Sequence, residues 1–338
     1  MRDANWSPDL PTSAAVAKAL YAQDGEGSVD GVFTLDLNAV KHLFGALGDV
    51  KAPGSDEVIT ADNIEAQLIR LWERPAGAEA TLAGGVSDEW WAQRKDFIPQ
   101  IAREALDRIQ GGKANLPALA MAVQAALTDR SIQAWVADPN IQAVLAEARW
   151  DGSIQPAQDS DFLAVIDTNM GYNKVDAAMQ RQLDYRVEWV DGPQQPATAT
   201  LTLTYTHPIT TPDPGCDPTR GYGETYADMI ARCYFDYVRV YAPGGSELIA
   251  VDGIAPEDVL AQAGEAGTEI FSGYFVTPTN SQQRITFTYR LPAALKPASY
   301  QLLLQRQPGT QPLPVTLHVN GADTELTLTE GWMLWSPE

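Results

Sequence analysis

The segment Thr200-Leu201-Thr202-Leu203-Thr204-Tyr205-Thr206 alternates threonine with large apolar residues. Successive side chains of a β-strand point to opposite faces, so this period of two predicts a strand with one buried and one polar face. Threonine and tyrosine both suit such a half-buried pleated surface. The segment therefore predicts a β-sheet at this point of the chain.

The same alternation recurs on both sides of this segment, over residues 183–189, 285–289, 300–304 and 315–319. Proline or glycine separates nearly every pair of runs, as turns between strands require. About nine or ten short strands without an intervening helix predict an antiparallel β-sandwich. We assign it to residues 156–338.

Residues 1–155 follow a helical period instead and predict a helix-rich α/β domain. Residues 29–35 form an apolar run suited to a buried strand. Asp36 can then cap an amphipathic helix that ends at Gly48. Further helices are predicted to begin near Thr60, Asp96, Leu116 and Asp138. The whole chain is thus predicted to be α+β, with two domains.

The composition excludes several partners. With 44 acidic and 23 basic residues among 338, the formal net charge is −21, and the acidic excess is present in both halves. No basic surface is therefore expected to follow the phosphates of a nucleic acid or an anionic membrane. No apolar run reaches the roughly 18 residues that span a bilayer, and the first residues lack the apolar core of a signal peptide. We expect any anchor to be missing from this chain.

The two cysteines, Cys216 and Cys233, lie 17 positions apart in a segment rich in proline, glycine and tyrosine. Neither belongs to a CxxC pair and only His207 is near, so a zinc site would lack ligands. In an exported protein a disulfide is the natural interpretation, and two buried free thiols are the alternative.

A cationic cluster could bind an anion. Arg94 and Lys95 precede the predicted helix cap Asp96, and Arg103 follows on the same helix. Free N–H groups and the helix dipole favour a phosphate or carboxylate at such a helix start. The alternative is that Asp96 only caps the helix while Arg94 and Lys95 are solvated or paired with nearby acidic residues.

Two further groups could contact ligands. Asp30 and Asp36 could help to hold Mg²⁺, although Asp36 is also the predicted helix cap and Asp30 can simply begin a strand. Asn169, Asn173 and Lys174 follow a buried strand in an Asn/Gly-rich loop, where ligand contacts often gather. The same loop composition is also what a tight turn needs.

Several spaced motifs occur along the chain. They are Asp-Ala-Asn-Trp-Ser-Pro-Asp-Leu-Pro-Thr (residues 3–12), Val-Asp-Gly-Val (29–32), Arg-Lys-Asp-Phe (94–97), Asp-Thr-Asn-Met-Gly-Tyr-Asn-Lys (167–174), Tyr-Val-Arg-Val-Tyr-Ala-Pro-Gly-Gly (237–245) and Gln-Arg-Gln-Pro-Gly-Thr (305–310). In this order they resemble the domain-of-unknown-function 4012 family. The resemblance implies an extracytoplasmic cell-envelope protein, usually with an N-terminal membrane anchor and with no established activity. It also implies that this chain lacks the anchor and part of the first domain.

Residues 12–103 are more remotely similar to the LytR-CpsA-Psr transferases, which attach polyprenyl-phosphate-linked glycopolymers to the cell wall. This similarity implies that Arg94, Lys95 and Arg103 grip a pyrophosphate beside Mg²⁺, which would stabilise phosphoryl transfer. The arginine spacing after Phe97 departs from that of the transferases, and their N-terminal acidic motif is missing.

Two functional hypotheses follow. The first is an extracytoplasmic cell-envelope protein with a structural or glycan-binding role and no required cofactor. The second is a Mg²⁺-dependent glycopolymer transferase. The sequence leaves open whether the chain is catalytic.

Overall fold

The fold is described from a computed structural model, which covers residues 3–25, 27–48, 50–51, 57–72, 97–213, 215–218 and 225–337. The chain divides into two compact units. The first comprises Met1–Gly152 and Tyr222–Met229, and the second comprises Ser153–Gly221 and Ile230–Glu338.

The first unit contains mostly helices. Its described elements are α1 (Leu10–Gln23), β1 (Gly31–Leu35), α2 (Leu37–Leu47), β2 (Val50–Lys51), β3 (Val58–Ile59), α3 (Ile64–Trp72), α4 (Phe97–Gln110), α5 (Leu116–Thr128), β4 (Ile132–Val136) and α6 (Pro139–Glu147). A short helix, α7 (Tyr226–Ile230), lies at a boundary between the units. None of the helices in the described ranges is both long and apolar enough to cross a membrane.

Local signals in the first unit produce the elements that they predict. The Asp36 carboxylate accepts a hydrogen bond from the N–H of Ala39 and so caps α2, and Gly48 ends this helix at a φ of 75°. Asp138 caps α6 with Pro139 in its first turn. Both of these helices and a strand within residues 29–35 are confirmed. The expectation that this strand is buried is wrong, because Phe33 is 61% exposed and Leu35 is 54% exposed.

The α/β prediction for this unit needs correction. Strand β4 was not predicted, and it pairs antiparallel with β1. Strands β2 and β3 also pair antiparallel. The described part of the unit is therefore mixed α+β without the parallel strands of an α/β sheet. Its apolar core packs α2, α3 and α4 around the β2–β3 pair, through Phe44, Leu47, Val50, Ile59, Ile64 and Ile101.

The second unit contains two six-stranded sheets. Its strands are β5 (Asp161–Ile166), β6 (Gln180–Glu188), β7 (Thr198–His207), β8 (Tyr234–Ala242), β9 (Glu247–Asp252), β10 (Val259–Ala263), β11 (Glu269–Thr277), β12 (Ser281–Arg290), β13 (Leu302–Gln305), β14 (Leu313–Val319), β15 (Ala322–Leu328) and β16 (Trp332–Trp335). The first sheet has the order β10-β11-β8-β5-β13-β16, and the second has the order β15-β14-β6-β7-β12-β9.

One apolar core joins the two sheets. It includes Leu163 and Val240 from the first sheet and Leu203, Phe287 and Leu317 from the second. Along β7 every second side chain is buried and the threonines between them are half-exposed. The predicted sandwich, with inward apolar residues at period two, is therefore confirmed.

The prediction that the sandwich is antiparallel throughout is wrong for two strand pairs. β5 pairs parallel with β13, and β6 pairs parallel with β14. The link from β5 to β6 and the link from β13 to β14 both cross from the first sheet to the second. Both links leave the first sheet at the same end and enter the second sheet there. As a result β13 runs in the same direction as β5, and β14 runs in the same direction as β6. We call the end of the sandwich that carries both links the crossover end.

Candidate functional site

The structure leaves the predicted cationic cluster untested. Arg94, Lys95 and Asp96 lie outside the described residues. Arg103 lies on α4 and is exposed to solvent. The pyrophosphate role of these three cations therefore stays a prediction.

Asp30 and Asp36 have structural contacts in the first unit. The carboxylate of Asp36 caps α2, 2.9 Å from the N–H of Ala39. Asp30 is exposed, and its backbone carbonyl accepts a hydrogen bond from the N–H of Ala137 at 2.7 Å. In the described ranges, no three His, Cys, Asp or Glu side chains are grouped as a metal site requires. A role for these two residues in binding Mg²⁺ stays a prediction.

The Asn/Gly-rich loop after β5 folds as a tight turn held by its own side chains. Asn169 donates its amide to the Asn173 side-chain oxygen at 2.7 Å and accepts the N–H of Gly171 at 2.9 Å. Asn173 also donates to the backbone carbonyl of Cys233 at 3.2 Å. Lys174 is exposed. These contacts account for both asparagines as turn residues, and ligand binding by Asn169, Asn173 and Lys174 stays a prediction.

A buried polar cluster lies at the crossover end, directly after β5. Its members, which we call the Asp167 cluster, are Asp167, Arg181, Tyr205, Tyr234 and Asp236. The Asp167 carboxylate lies 2.6 Å from Nε of Arg181 and accepts the Tyr205 hydroxyl at 2.7 Å. Arg181 also donates to the Tyr234 hydroxyl at 2.9 Å, and Tyr234 donates to Asp236 at 3.1 Å. The cluster connects side chains of both sheets across the core.

The charges of the Asp167 cluster are unequal. Burial, together with the neighbouring charge of Asp167, raises the pKa of Asp236 well above its usual range. Burial likewise raises the pKa of Tyr205 and Tyr234, so both hydroxyls stay protonated and can donate. The raised pKa favours the protonated form of Asp236, whereas Asp167 lies within ion-pair distance of Arg181.

A cavity of about 330 Å³ opens beside this cluster. This is the lower end of the range for small-molecule sites. Asp167, Arg181 and Tyr205 belong to its wall. Other lining residues include Val165, Gln180, Gln182, Gln311, Leu313 and Pro314.

The cavity exists because β6 and β14 separate at the crossover end. Their parallel pairing begins only at Leu183 with Val315. The preceding residue, Pro314, has no backbone N–H with which to continue the pairing. In the other sheet, the side-chain amide of Gln307 makes the hydrogen bonds that a neighbouring strand would otherwise make. It accepts the N–H of Asp167 at 2.8 Å and donates to the carbonyl of Asp167 at 2.9 Å. The open space is thus built into the fold.

The sequence contained a signal for this cluster that the prediction missed. Arg181 continues the inward phase of Leu183 and Tyr185 along β6, and Asp236 continues that of Tyr234 and Val238 along β8. A charged side chain in the apolar phase of a strand must find a buried partner. A charged residue at an inward position of a strand therefore indicates, better than any local motif, where polar groups converge in the core.

A second buried carboxylate, Asp161, lies at the start of β5. Its carboxylate accepts the Tyr185 hydroxyl at 2.7 Å, the Tyr300 hydroxyl at 2.5 Å and the N–H of Phe162 at 2.8 Å. Tyr289 donates in turn to Tyr185 at 3.1 Å. Burial raises the pKa of Asp161 from 3.8 to about 6, although these hydrogen bonds oppose the shift.

We predict that Asp161 makes the sandwich less stable as the pH rises from about 4 to about 6. The folded protein holds this proton more tightly than the unfolded chain, so the stability it adds is complete below the unfolded pKa and is lost as the pH rises through about 6. The expected loss over this interval is about 2 kcal/mol. Urea unfolding against pH should show this component in the wild type and in Asp252→Asn, an exposed control, and lack it in Asp161→Asn. Equal pH slopes in all three proteins would contradict the assignment.

The disulfide predicted between Cys216 and Cys233 is confirmed. Cys233 is fully buried, and its N–H donates to the carboxylate of Asp213 at 3.1 Å. The bond therefore fixes a long loop to the start of β8.

Comparison with known proteins finds one family model that matches part of the chain. The model of the protein family of unknown function DUF4012 matches residues 1–70. The matched region contains the motifs at residues 3–12 and 29–32, and the later motifs lie outside it. No curated protein matches the chain.

Proposed function

We propose that this chain is an extracytoplasmic cell-envelope protein whose sandwich binds a glycan and does not catalyse its turnover. The observation that carries the proposal is the cavity at the crossover end. Its walls belong to strands and to two links held by hydrogen bonds, so the site is present before a ligand arrives. A preformed concavity with a few polar groups is the usual form of a small-molecule site.

The mouth of the cavity suits sugar hydroxyl groups. Gln311 on the β13–β14 link lines it and is exposed. Gln180 and Gln182 on β6 also border it and are exposed, on the outer face of the strand because they alternate with inward-facing Arg181 and Leu183. Each amide offers both a donor and an acceptor, which a sugar hydroxyl can use together. A ligand here would gain hydrogen bonds without breaking any that the described part of the protein makes through these three side chains.

The disulfide supports an extracytoplasmic location. Structural disulfides form and persist in oxidising compartments and are rare in the cytosol. The Cys216–Cys233 bond lies in the same unit as the cavity. We therefore propose that the sandwich functions outside the cytoplasm.

Transfer of a glycopolymer by the first unit stays a hypothesis, and so does its likeness to the LytR-CpsA-Psr transferases. Arg103 is exposed and could contact an anion. Its proposed companions Arg94 and Lys95 are outside the described ranges, so no observation favours this function over glycan binding.

The proposal predicts that filling the cavity weakens glycan binding. Val165 is partly buried in the cavity wall, so Val165→Phe places a ring in the open space. We expect isothermal titration of the full chain with soluble neutral cell-envelope oligosaccharides to show binding that this variant weakens at least about tenfold, or 1.4 kcal/mol.

The matched control is Val190→Phe, at a position that is 74% exposed and outside the cavity. It should bind like the wild type, and melting curves should show that both variants fold. Absence of binding to every oligosaccharide by the wild type, or equal losses in the two variants, would contradict the proposal.

A further inference from the structure

We propose that His318 forms a pH-sensitive clasp, which holds the β14–β15 hairpin to β6 while its ring is protonated and weakens this attachment when the ring is neutral. The attachment, which we call the seam, is the parallel pairing of residues 183–187 on β6 with residues 315–319 on β14. The seam begins where the cavity ends, because Leu183 and Val315 both line the cavity. The proposal does not depend on what the cavity binds.

The turn between β14 and β15 places His318 opposite a carboxylate. Asn320 and Gly321 have φ angles of 53° and 79°, and a two-residue turn of type I′ requires both to be positive. This turn sets the register of the hairpin, in which His318 lies directly opposite Asp323. Nδ1 of His318 lies 2.7 Å from the Asp323 carboxylate.

The second ring nitrogen of His318 contacts β6. Nε2 lies 3.1 Å from the carboxylate of Asp184, which directly follows Leu183 at the start of the seam. His318 alternates with inward-facing Leu317 and Val319, so its ring lies on the outer face of the second sheet. Its side chain is nevertheless only 19% exposed. One ring therefore joins three neighbouring strands, β15, β14 and β6.

Only the protonated ring can donate to both carboxylates. A neutral imidazole has one N–H donor, its other nitrogen is an acceptor, and an ionised carboxylate can only accept. A neutral ring would thus direct a lone pair at either Asp184 or Asp323. The hydrogen bond to Asp323 raises the pKa of His318, partial burial opposes this shift, and Asp184 adds to it. Loss of the proton therefore removes one of the two contacts.

The other charged groups on this face lie on the neighbouring strands. Arg186 stands beside His318 in the register of β6, where its charge opposes protonation of the ring, and it lies 3.9 Å from Glu188. Glu325 shares the outer face of β15 with Asp323, and its negative charge favours the protonated ring. Strand β14 has no other charged residue. The surroundings of His318 are therefore acidic apart from Arg186.

The clasp adds stability at low pH. The folded protein holds this proton more tightly than the unfolded chain, in which a histidine titrates near pH 6.5. The added stability is therefore complete below about pH 6.5 and is lost as the pH rises through the folded pKa. The contribution of Asp161 is separate, because it is lost at lower pH, as the pH rises through about 6.

Nitrogen-15 NMR of the full chain tests the protonation of the ring. His318 should titrate at a higher pH than a histidine in an unfolded peptide, because both carboxylates stabilise the imidazolium. Asp323→Asn and Asp184→Asn should each shift this titration to lower pH. A wild-type titration at or below that of the peptide, or one that either variant leaves unmoved, would overturn the clasp.

Hydrogen exchange tests whether the proton controls the seam. Protection of the β14 amides, corrected for intrinsic exchange rates, is compared at pH 5.5 and at one pH unit above the measured titration midpoint of His318. The decrease in the wild type should exceed that in His318→Gln by about threefold, as expected for one partly exposed ion pair. Because Asp161 titrates in both proteins, its contribution cancels.

His42→Gln is the matched control. The ring of His42 lies in the first unit, where Nε2 is 2.9 Å from the carboxylate of Asp129. This variant should show the same decrease in β14 protection as the wild type. Equal decreases in the wild type and in His318→Gln would overturn the clasp, and so would a loss of the decrease in His42→Gln.

Discussion

Replacing Asp167 with asparagine should lower the free energy of unfolding of the sandwich by about 3–5 kcal/mol. The substitution keeps the shape of the side chain but removes the charge that lies 2.6 Å from Arg181. The guanidinium then stays in the core with only Asp176 as a charged partner, at 2.8 Å, and that carboxylate is about half exposed. Because Asp176 retains part of the compensation, we expect a value near the lower end.

Asp236→Asn is the matched control, since Asp236 belongs to the same cluster and is also buried. Burial raises the pKa of Asp236 and favours its neutral form, so the amide should replace it at a cost of at most about 1 kcal/mol. Urea unfolding at neutral pH, followed by near-ultraviolet circular dichroism, measures both variants. Similar losses in the two would show that Asp236 is ionised and would reverse the assignment of charges in the Asp167 cluster.

Removing the disulfide should destabilise the sandwich by about 3 kcal/mol, because the bond restricts the unfolded chain between two cysteines that are 17 positions apart. Reduced wild-type protein and the double variant Cys216→Ala/Cys233→Ala should unfold at similar urea concentrations, both below that of the oxidised wild type. The reduced protein keeps both sulfur atoms, so it separates loss of the cross-link from loss of packing at buried Cys233.

A reductant should leave the double variant unchanged, which controls for other effects of the reagent. If reduction does not shift the wild-type transition, the disulfide contributes nothing to stability. The disulfide would then be weaker evidence for an oxidising compartment, because a bond that does not stabilise the fold gives the protein no need of such a compartment.

Those parts of the fold that depend on neighbouring residues could be predicted from the sequence. The alternation through Leu201, Leu203 and Tyr205 predicted β7, and Asp36 with Gly48 marked both ends of α2. Such signals depend on a few neighbouring residues, so they can be recognised without knowing which segments pack together in the fold. Strand β4 was not predicted, because Gln133 interrupts its apolar residues and its buried positions do not alternate with exposed ones.

The parallel strand pairs and the cavity could not be predicted in the same way. Pairing of β5 with β13 joins segments that no periodicity connects, and the opening of the cavity depends on where Pro314 falls in the register against β6. The Asp167 cluster could be predicted from the sequence only in part. Arg181 stands in the apolar phase of its strand, which indicated a buried charge, but its partner Asp167 follows another strand in the opposite sheet.

The parallel pair of β5 with β13 also constrains how the protein can be made. Asp167 can form its hydrogen bonds with Gln307 only after a further 140 residues have been synthesised, and β5 can pair with β13 only after a similar length of chain. Such high contact order slows folding. A ribosome or an export channel delivers the chain from its N-terminus, so the edge of β5 that pairs with β13 and the edge of β6 that pairs with β14 stay unpaired until those late strands emerge. The sandwich can close only after the segment beyond Leu302 has emerged, and until then we expect the nascent chain to depend on chaperones that shield those edges.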